Sequence, residues 1–357
     1  MNTKFIKFAT FLLFGLLWFA AATPAQAQTY HLDDKEGLRA FLRQPSDVAG
    51  QINAQRLGLT LADTANWQTN EGWVAKIYNL VWNNSTPKRL TDIGNAENLG
   101  WYSCNLAGCL DAKKWKLIEN MYFSGNRLTA LNVEGCKELK NLWCPASSLT
   151  VLDVSTNTEL RELHCSLNCF TILDVSANKK LTYLWCPSNY GPLVALNVGK
   201  STTLRYLYCG FNQLTALDVS GCTALETLDC QQNQLTHLDA GGCTALKTLG
   251  CYNNQLTYLN ISGCKSLTDL SCEDNQLTTL DVGGCTALKT LACDGNLLTT
   301  LNVSGCAALK ELSCSYNQLT TLDVSGCTRL NDFDCTSNHL LLSDLFVASE
   351  ILKKIVE

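Results

Sequence analysis

Residues 225–245 read Leu225-Glu-Thr-Leu228-Asp-Cys230-Gln-Gln-Asn233-Gln-Leu235-Thr-His-Leu238-Asp-Ala240-Gly-Gly-Cys243-Thr-Ala245, and Leu246 starts the same pattern again. Working outward, a cysteine returns at 144, 165 and 186 and then at 209, 230, 251, 272, 293, 314 and 335, a period of 21 residues with one two-residue insertion. Ten full copies and part of an eleventh fill 118–340. A fixed period of this length means one structural unit per copy, stacked so that each touches its neighbours. No unit can bury its apolar face alone. Stacking pairs each short strand with the next at ~4.8 Å and aligns the leucines in columns.

The opening Leu-x-x-Leu-x-Cys-x-x-Asn-x-Leu has the spacing of a leucine-rich repeat, with cysteine where a third leucine usually stands. Over about two thirds of its length the chain resembles bacterial leucine-rich-repeat proteins with 21-residue units. The internalins of Listeria, one of which carries a ladder of stacked cysteines, are the most similar. The resemblance implies a right-handed, curved solenoid outside the cell, with a parallel β-sheet on its concave face that binds other molecules, and no catalytic activity. No cell-wall sorting motif follows the repeats, so the internalin manner of anchoring is not expected. On the opposite, convex limb Leu217-Asp218-Val219 alternates in, out, in, which predicts a short extended or 3-10 segment instead of a helix.

Side chains alternate across a strand, so the fourth and sixth positions of each unit face inward and the third, fifth and seventh face solvent. Read down the copies, the fifth position gives Tyr122, Trp143, His164, Trp185 and Tyr208, then Asp229, Gly250, Ser271, Ala292, Ser313 and Asp334. The third position adds Tyr183 and Tyr206, and Phe211 follows nearby. The first five units therefore present an aromatic strip, with Trp143 and Trp185 as anchors, the tyrosines as flanks and His164 as a polar contact. The insertion Pro187-Ser-Asn-Tyr190-Gly-Pro192 forms one lip. Apolar patches of this kind mark binding sites, and Trp and Tyr are favoured anchors. The competing structural explanation is mutual stacking along the ladder. In the later units Asp229, Asp269, Glu273, Asp274, Asp294, Glu311, Asp332 and Asp334 make the same face acidic. That can meet a basic partner or keep the sheet soluble, the simpler reading.

The cysteines form two columns, one at the sixth position and one at Cys136, Cys222, Cys243, Cys264, Cys285, Cys306 and Cys327. Neighbouring coils fall within disulfide reach, but side chains on in-register strands run parallel, so stacked free thiols serving as small apolar fillers are expected. Cys104 and Cys109, outside the columns, are the disulfide candidates. Cys165, Cys169 and His164 do not make a metal site, because Cys165 faces inward and His164 outward. The asparagines at 126, 168, 189, 212, 233, 254, 275, 296, 317 and 338 are expected to bond the free backbone groups of the turn and of the next coil, with Ser147 breaking the column.

Lys4 and Lys7, the apolar run Phe8–Ala22 and Ala25-Gln26-Ala27 read as a signal peptide, 1–27, and beyond it no run is long enough to span a bilayer. Export follows, to the periplasm, the cell surface or the medium. Residues 28–117 read as an N-terminal cap, with an amphipathic helix over 33–42 and Trp67, Trp73 and Trp82 in its core; 341–357 reads as a helical C-terminal cap opened by Ser343. Removing the leader moves the net charge from −5 to −7, which disfavours nucleic acid. Four histidines (His31, His164, His237 and His339) and no nucleophile, metalloprotease or nucleotide-binding motif leave catalysis without support. The expectation is an exported binding module without a cofactor that recognises a protein or peptide, host-derived ligands included. Carbohydrate binding and self-association are the alternatives.

Overall fold

A computed structural model describes residues 30–60, 74, 77, 79–94, 100–190, 193–341 and 345–346. The expected leader 1–27, Trp67 and Trp73 lie outside the described residues. Coils are numbered here from Ile118, so that coil 2 opens at Leu139, coil 4 at Leu181, coil 6 at Leu225 and coil 9 at Leu288.

Every coil contributes a three-residue strand to one 13-stranded sheet whose order follows the chain. The strands pair in parallel and in register, so Leu142, Leu163, Leu184, Leu207 and Leu228 stack directly on one another. The column continues through Leu249, Leu270, Leu291 and Leu312 and ends at Phe333. In the strands from Asn141–Trp143 to Glu311–Ser313 the central leucine is buried, and its neighbours are half-buried or exposed, as in Tyr183–Trp185 and Thr227–Asp229. The cysteine that follows each of them is buried as well. The core is thus a continuous spine of Leu, Val and Cys columns.

The asparagine column ties coil to coil. Asn254 Nδ2 donates to the carbonyl of Cys251 in its own coil at 3.0 Å and to that of Cys230 in the preceding coil at 3.1 Å. Its Oδ1 accepts from Leu235 N at 3.0 Å. The linked coil is the preceding one, not the next. Ser147, too short for this role, buries a hydroxyl with no hydrogen-bond partner.

The second cysteine column differs from the expected apolar filler. Cys136, Cys264 and Cys306 each place Sγ 3.2 Å from a carbonyl of the preceding coil, that of Ala112, Ala240 and Val282 respectively. Where Asn157 and Asn178 replace cysteine, Nδ2 donates to the equivalent carbonyls of Val133 and Val154, at 3.0 and 2.9 Å. Asparagine and cysteine both serve as donors here, the thiol a weak one, whereas Ser201 at the same position accepts from Thr203 N and Leu204 N. No disulfide joins these columns. The Cys104–Cys109 bridge also fails to form: Cys104 is buried with Sγ 3.5 Å from the Tyr102 carbonyl, whereas Cys109 is exposed on the strand Ala107–Asp111. One points into the core and the other out of it.

The opposite limb forms two-stranded parallel sheets, not one continuous sheet. Each limb carries Asp or Asn whose Oδ1 accepts the backbone N–H two residues on, as Asp174 does from Ser176 and Asn260 from Ser262. Strands pair where Asp is followed one coil later by Asn: Asp111/Asn132, Asp174/Asn197, Asp239/Asn260 and Asp281/Asn302. There the asparagine Nδ2 reaches back to the carboxylate at 2.8 to 3.2 Å. In the reverse order, or with Asp on Asp, the later coil has no donor to offer and the strands stay apart.

Two observations revise the ends. Leu90–Ile93 and the antiparallel Leu80–Trp82 already belong to the main sheet, and Ala107–Asp111 pairs with Arg127–Asn132 on the other limb, so solenoid geometry begins before residue 118. Helix α1, Leu32–Leu42, is fixed to this start by Asp34, fully buried, which Arg89 grips with two nitrogens at 2.8 and 3.0 Å. At the other end Leu345–Phe346, where the expected helical cap would start, is a strand paired with Leu322–Asp323 on the open edge of the last limb. Residues 342–344 and 347–357 lie outside the described ones.

Candidate functional site

The in-register strands place Tyr122, Trp143, His164, Trp185 and Tyr208 in consecutive coils on the face of the main sheet opposite the leucines. Their rings touch in sequence. Tyr122 meets Trp143 at 5.2 Å, Trp143 meets His164 at 5.5 Å and His164 meets Trp185 at 5.7 Å, all edge to face. Trp185 and Tyr208 lie 4.5 Å apart, and Tyr183 contacts Trp185, Tyr206 and Tyr208. Such pairs add about 0.5–1.5 kcal/mol each beyond area burial. The rings are therefore a self-supporting ladder as well as a surface.

Exposure divides the ladder. Tyr122 is 4 % exposed: the cap runs beside it, with Trp101 N donating to its carbonyl at 2.9 Å and Gly100 so close that an added Cβ would lie 2.9 Å from Tyr122 Cβ. It does not face solvent as the alternation suggested. Trp143, His164, Trp185, Tyr183, Tyr206 and Tyr208 are half-buried. Phe211 is 45 % exposed at the rim and Tyr190, in the insertion, 71 %. Gly191 and Pro192 of that insertion lie outside the described residues.

Phe211 sits at φ 56°. The same turn position is left-handed in every coil from Ala146 to Ser337, and it carries Leu167, Gln232 and Tyr316 as well as Asn253, Asp274 and Gly295, so the backbone conformation belongs to the repeat and not to Phe211 alone.

The polar chemistry of the ladder is sparse. Trp143 Nε1 is buried and makes no hydrogen bond within the protein. His164 Nε2 lies 3.3 Å from Ser166 Oγ, and burial lowers its pKa to about 4, so the ring is neutral at ordinary pH. Desolvation likewise pushes the thiols of Cys144 and Cys186, on the inner side of the same strands, up to about 12. Protonated and buried, they are poor nucleophiles. Among the described residues no group of three or more His, Cys, Asp and Glu is arranged to hold a metal ion, and no helix is long and apolar enough to cross a membrane.

A 13-stranded sheet that is parallel from Leu90–Ile93 onward, a buried asparagine column and 21-residue coils define a leucine-rich-repeat solenoid. Such solenoids are in general non-enzymatic binding scaffolds. Residues 202–240 match the family model for leucine-rich repeats in two copies. The fold is similar to that of the internalin InlF of Listeria monocytogenes, at 20% identity and TM-score 0.56, over 91% of this chain and 86% of that one. A functional domain of InlJ from the same organism, described as including a cysteine ladder, is 29% identical over 70% of this chain and 66% of its own, with TM-score 0.48. The plant peptide-hormone receptor RGFR1, solved in complex with RGF2, matches at 20% identity and TM-score 0.54 over 70% of this chain and 48% of that one. No curated protein matches the sequence.

Proposed function

We propose that the chain is an exported binding module that recognises a protein or peptide through the aromatic ladder of coils 2 to 5. Trp143 and Trp185 are its anchors, Tyr183, Tyr206 and Tyr208 its flanks, Phe211 and Tyr190 its rim, and His164 a neutral polar contact between the anchors. The observation that carries this reading is the unbroken row of half-exposed rings in contact from Trp143 through His164 and Trp185 to Tyr208 on the open face of the sheet. The unpartnered indole N–H of Trp143 supplies a donor for a ligand acceptor. A peptide complex of the plant receptor on the same fold gives a precedent for the ligand class.

Edge-to-face contacts cover part of each ring face, which favours side chains that wedge between rings over a flat sugar ring laid on one platform. The experiment compares the wild type with Trp143→Ala/Trp185→Ala in protein pull-downs and on glycan arrays. Loss of protein partners with no glycan signal is expected. Retention of every interaction by the double variant would remove the ladder from the function. Glycan binding lost in the variant would replace the peptide reading with a carbohydrate one.

A further inference from the structure

The same sheet face changes character after coil 5. In coils 6 to 11 the third, fifth and seventh positions hold seven acids, Asp229, Asp269, Glu273, Asp294, Glu311, Asp332 and Asp334, and no Lys or Arg. In coils 1 to 5 those positions hold one acid, Glu162. The basic residues of the later coils nearest this face, Lys247, Lys289 and Lys310, stand at the strand entries, and Lys247 is already tied to Glu226 at 2.9 Å. Gly250, Ser271 and Ala292 give the middle row small side chains, and Gln231, Tyr252, Glu273 and Asp294, at the seventh position of successive coils, form a bank beside it.

The hydrogen bonding of that bank is incomplete in one direction. Asp294 Oδ1 is satisfied by Ser313 Oγ, Ser315 N and Ser315 Oγ at 2.5, 2.8 and 2.7 Å. By contrast Glu273 Oε2 and Gln231 Oε1 are buried acceptors that receive no hydrogen bond from the protein. Burial first, and then Asp294 and Asp274, raise the proton affinity of Glu273. Both acceptors need donors, and the carboxylate needs positive charge. On the ladder the orphan is a donor, Trp143 Nε1.

We infer that the ligand is one extended polypeptide laid across the strands, with an apolar segment over coils 2 to 5 and a lysine- or arginine-bearing segment over coils 6 to 9. This rests on the peptide reading of the ladder and adds the chemistry and direction of its partner. Four strand spacings of ~4.8 Å separate Trp185 from Glu273, a span that about six extended residues cover. The basic side chain that meets Glu273 therefore falls roughly six residues from the side chain that fills the Trp185 site. Cationic groups supply the missing donors and relieve repulsion among the acids, which also speeds encounter at low salt.

Three labelled synthetic peptides of roughly twelve residues test this on the full chain by fluorescence anisotropy. They share a Leu/Phe-rich half and differ in the other half, which is Lys/Arg-rich, Ser/Gly-rich or Glu-rich. The basic peptide is expected to bind at least about tenfold more tightly than the acidic one at low salt, and the gap should close near about 0.5 M salt. Asp269→Asn/Glu273→Gln/Glu311→Gln, checked for an unchanged melting curve, should close it too. Equal affinity for basic and acidic peptides overturns the inference while leaving the ladder reading intact. Binding of all three that ignores Trp143→Ala/Trp185→Ala overturns the ladder reading instead, and absence of any peptide binding overturns both.

Discussion

Asn254 shows how a single amide holds two coils together. Its three bonds, to the Cys230 and Cys251 carbonyls and from Leu235 N, are buried, so removing the side chain leaves backbone groups unsatisfied in both coils. Asn254→Ala should cost about 2–4 kcal/mol, measured by denaturant unfolding. A cost below that of an exposed substitution would mean the column is incidental. His164 provides a second test. Its pKa falls from 6.5 to about 4 through desolvation, so between those values the unfolded chain binds a proton that the folded one refuses. Stability should therefore be fully present above about pH 6.5 and decline as pH falls towards 4, and His164→Gln should flatten that part of the profile. A His164 resonance titrating near 6.5 in the folded chain would contradict the assigned burial.

The paired limb strands depend on one donor each. Asn260→Asp sets a carboxylate against Asp239, removes the Nδ2 bond of 2.8 Å and should release the pair His237–Asp239 and Tyr258–Asn260. Faster amide exchange at Ala240 and Thr257, which bond Asn260 and Thr236 across the limb, would show it; unchanged exchange would mean leucine packing alone holds the limb. The sequence made the main strands legible because Leu and Cys alternate with period two in every copy, and the in-register leucine columns follow from that. The order of Asp and Asn was equally visible in the limbs, but the in, out, in alternation is the same for both and does not say which limb strands pair. The cap hid its strands for a different reason. Leu110-Asp111-Ala112 echoes the limb pattern of the repeats, but the bulge at Gly108 and Cys109 takes the residues before it out of the 21-residue spacing, so the echo is too short to extend the repeat. In the ladder, spacing foretold which rings are neighbours, whereas the burial of Tyr122 under the cap depends on a contact no repeat encodes.

Stability of the solenoid is distributed among coils that contact their neighbours. Deleting 225–245 joins Ala224 to Leu246 and preserves the period, so the shortened chain should fold with its far-UV spectrum scaled to its length. Deleting 225–234 breaks the period and should abolish cooperative unfolding. Equal behaviour of the two deletions would deny that register governs the fold. The functional account rests on the same alternation, with thiols in the spine and indoles on the open face. Hydroxyl-radical footprinting of the native chain reads both at once, since sulfur and indole are each readily oxidised. Oxidation is expected at Trp143, Trp185 and Phe211, with Cys144, Cys186 and Cys230 spared until the chain unfolds. Oxidised column cysteines beside protected Trp143 and Trp185 would turn the sheet inside out and remove the binding surface.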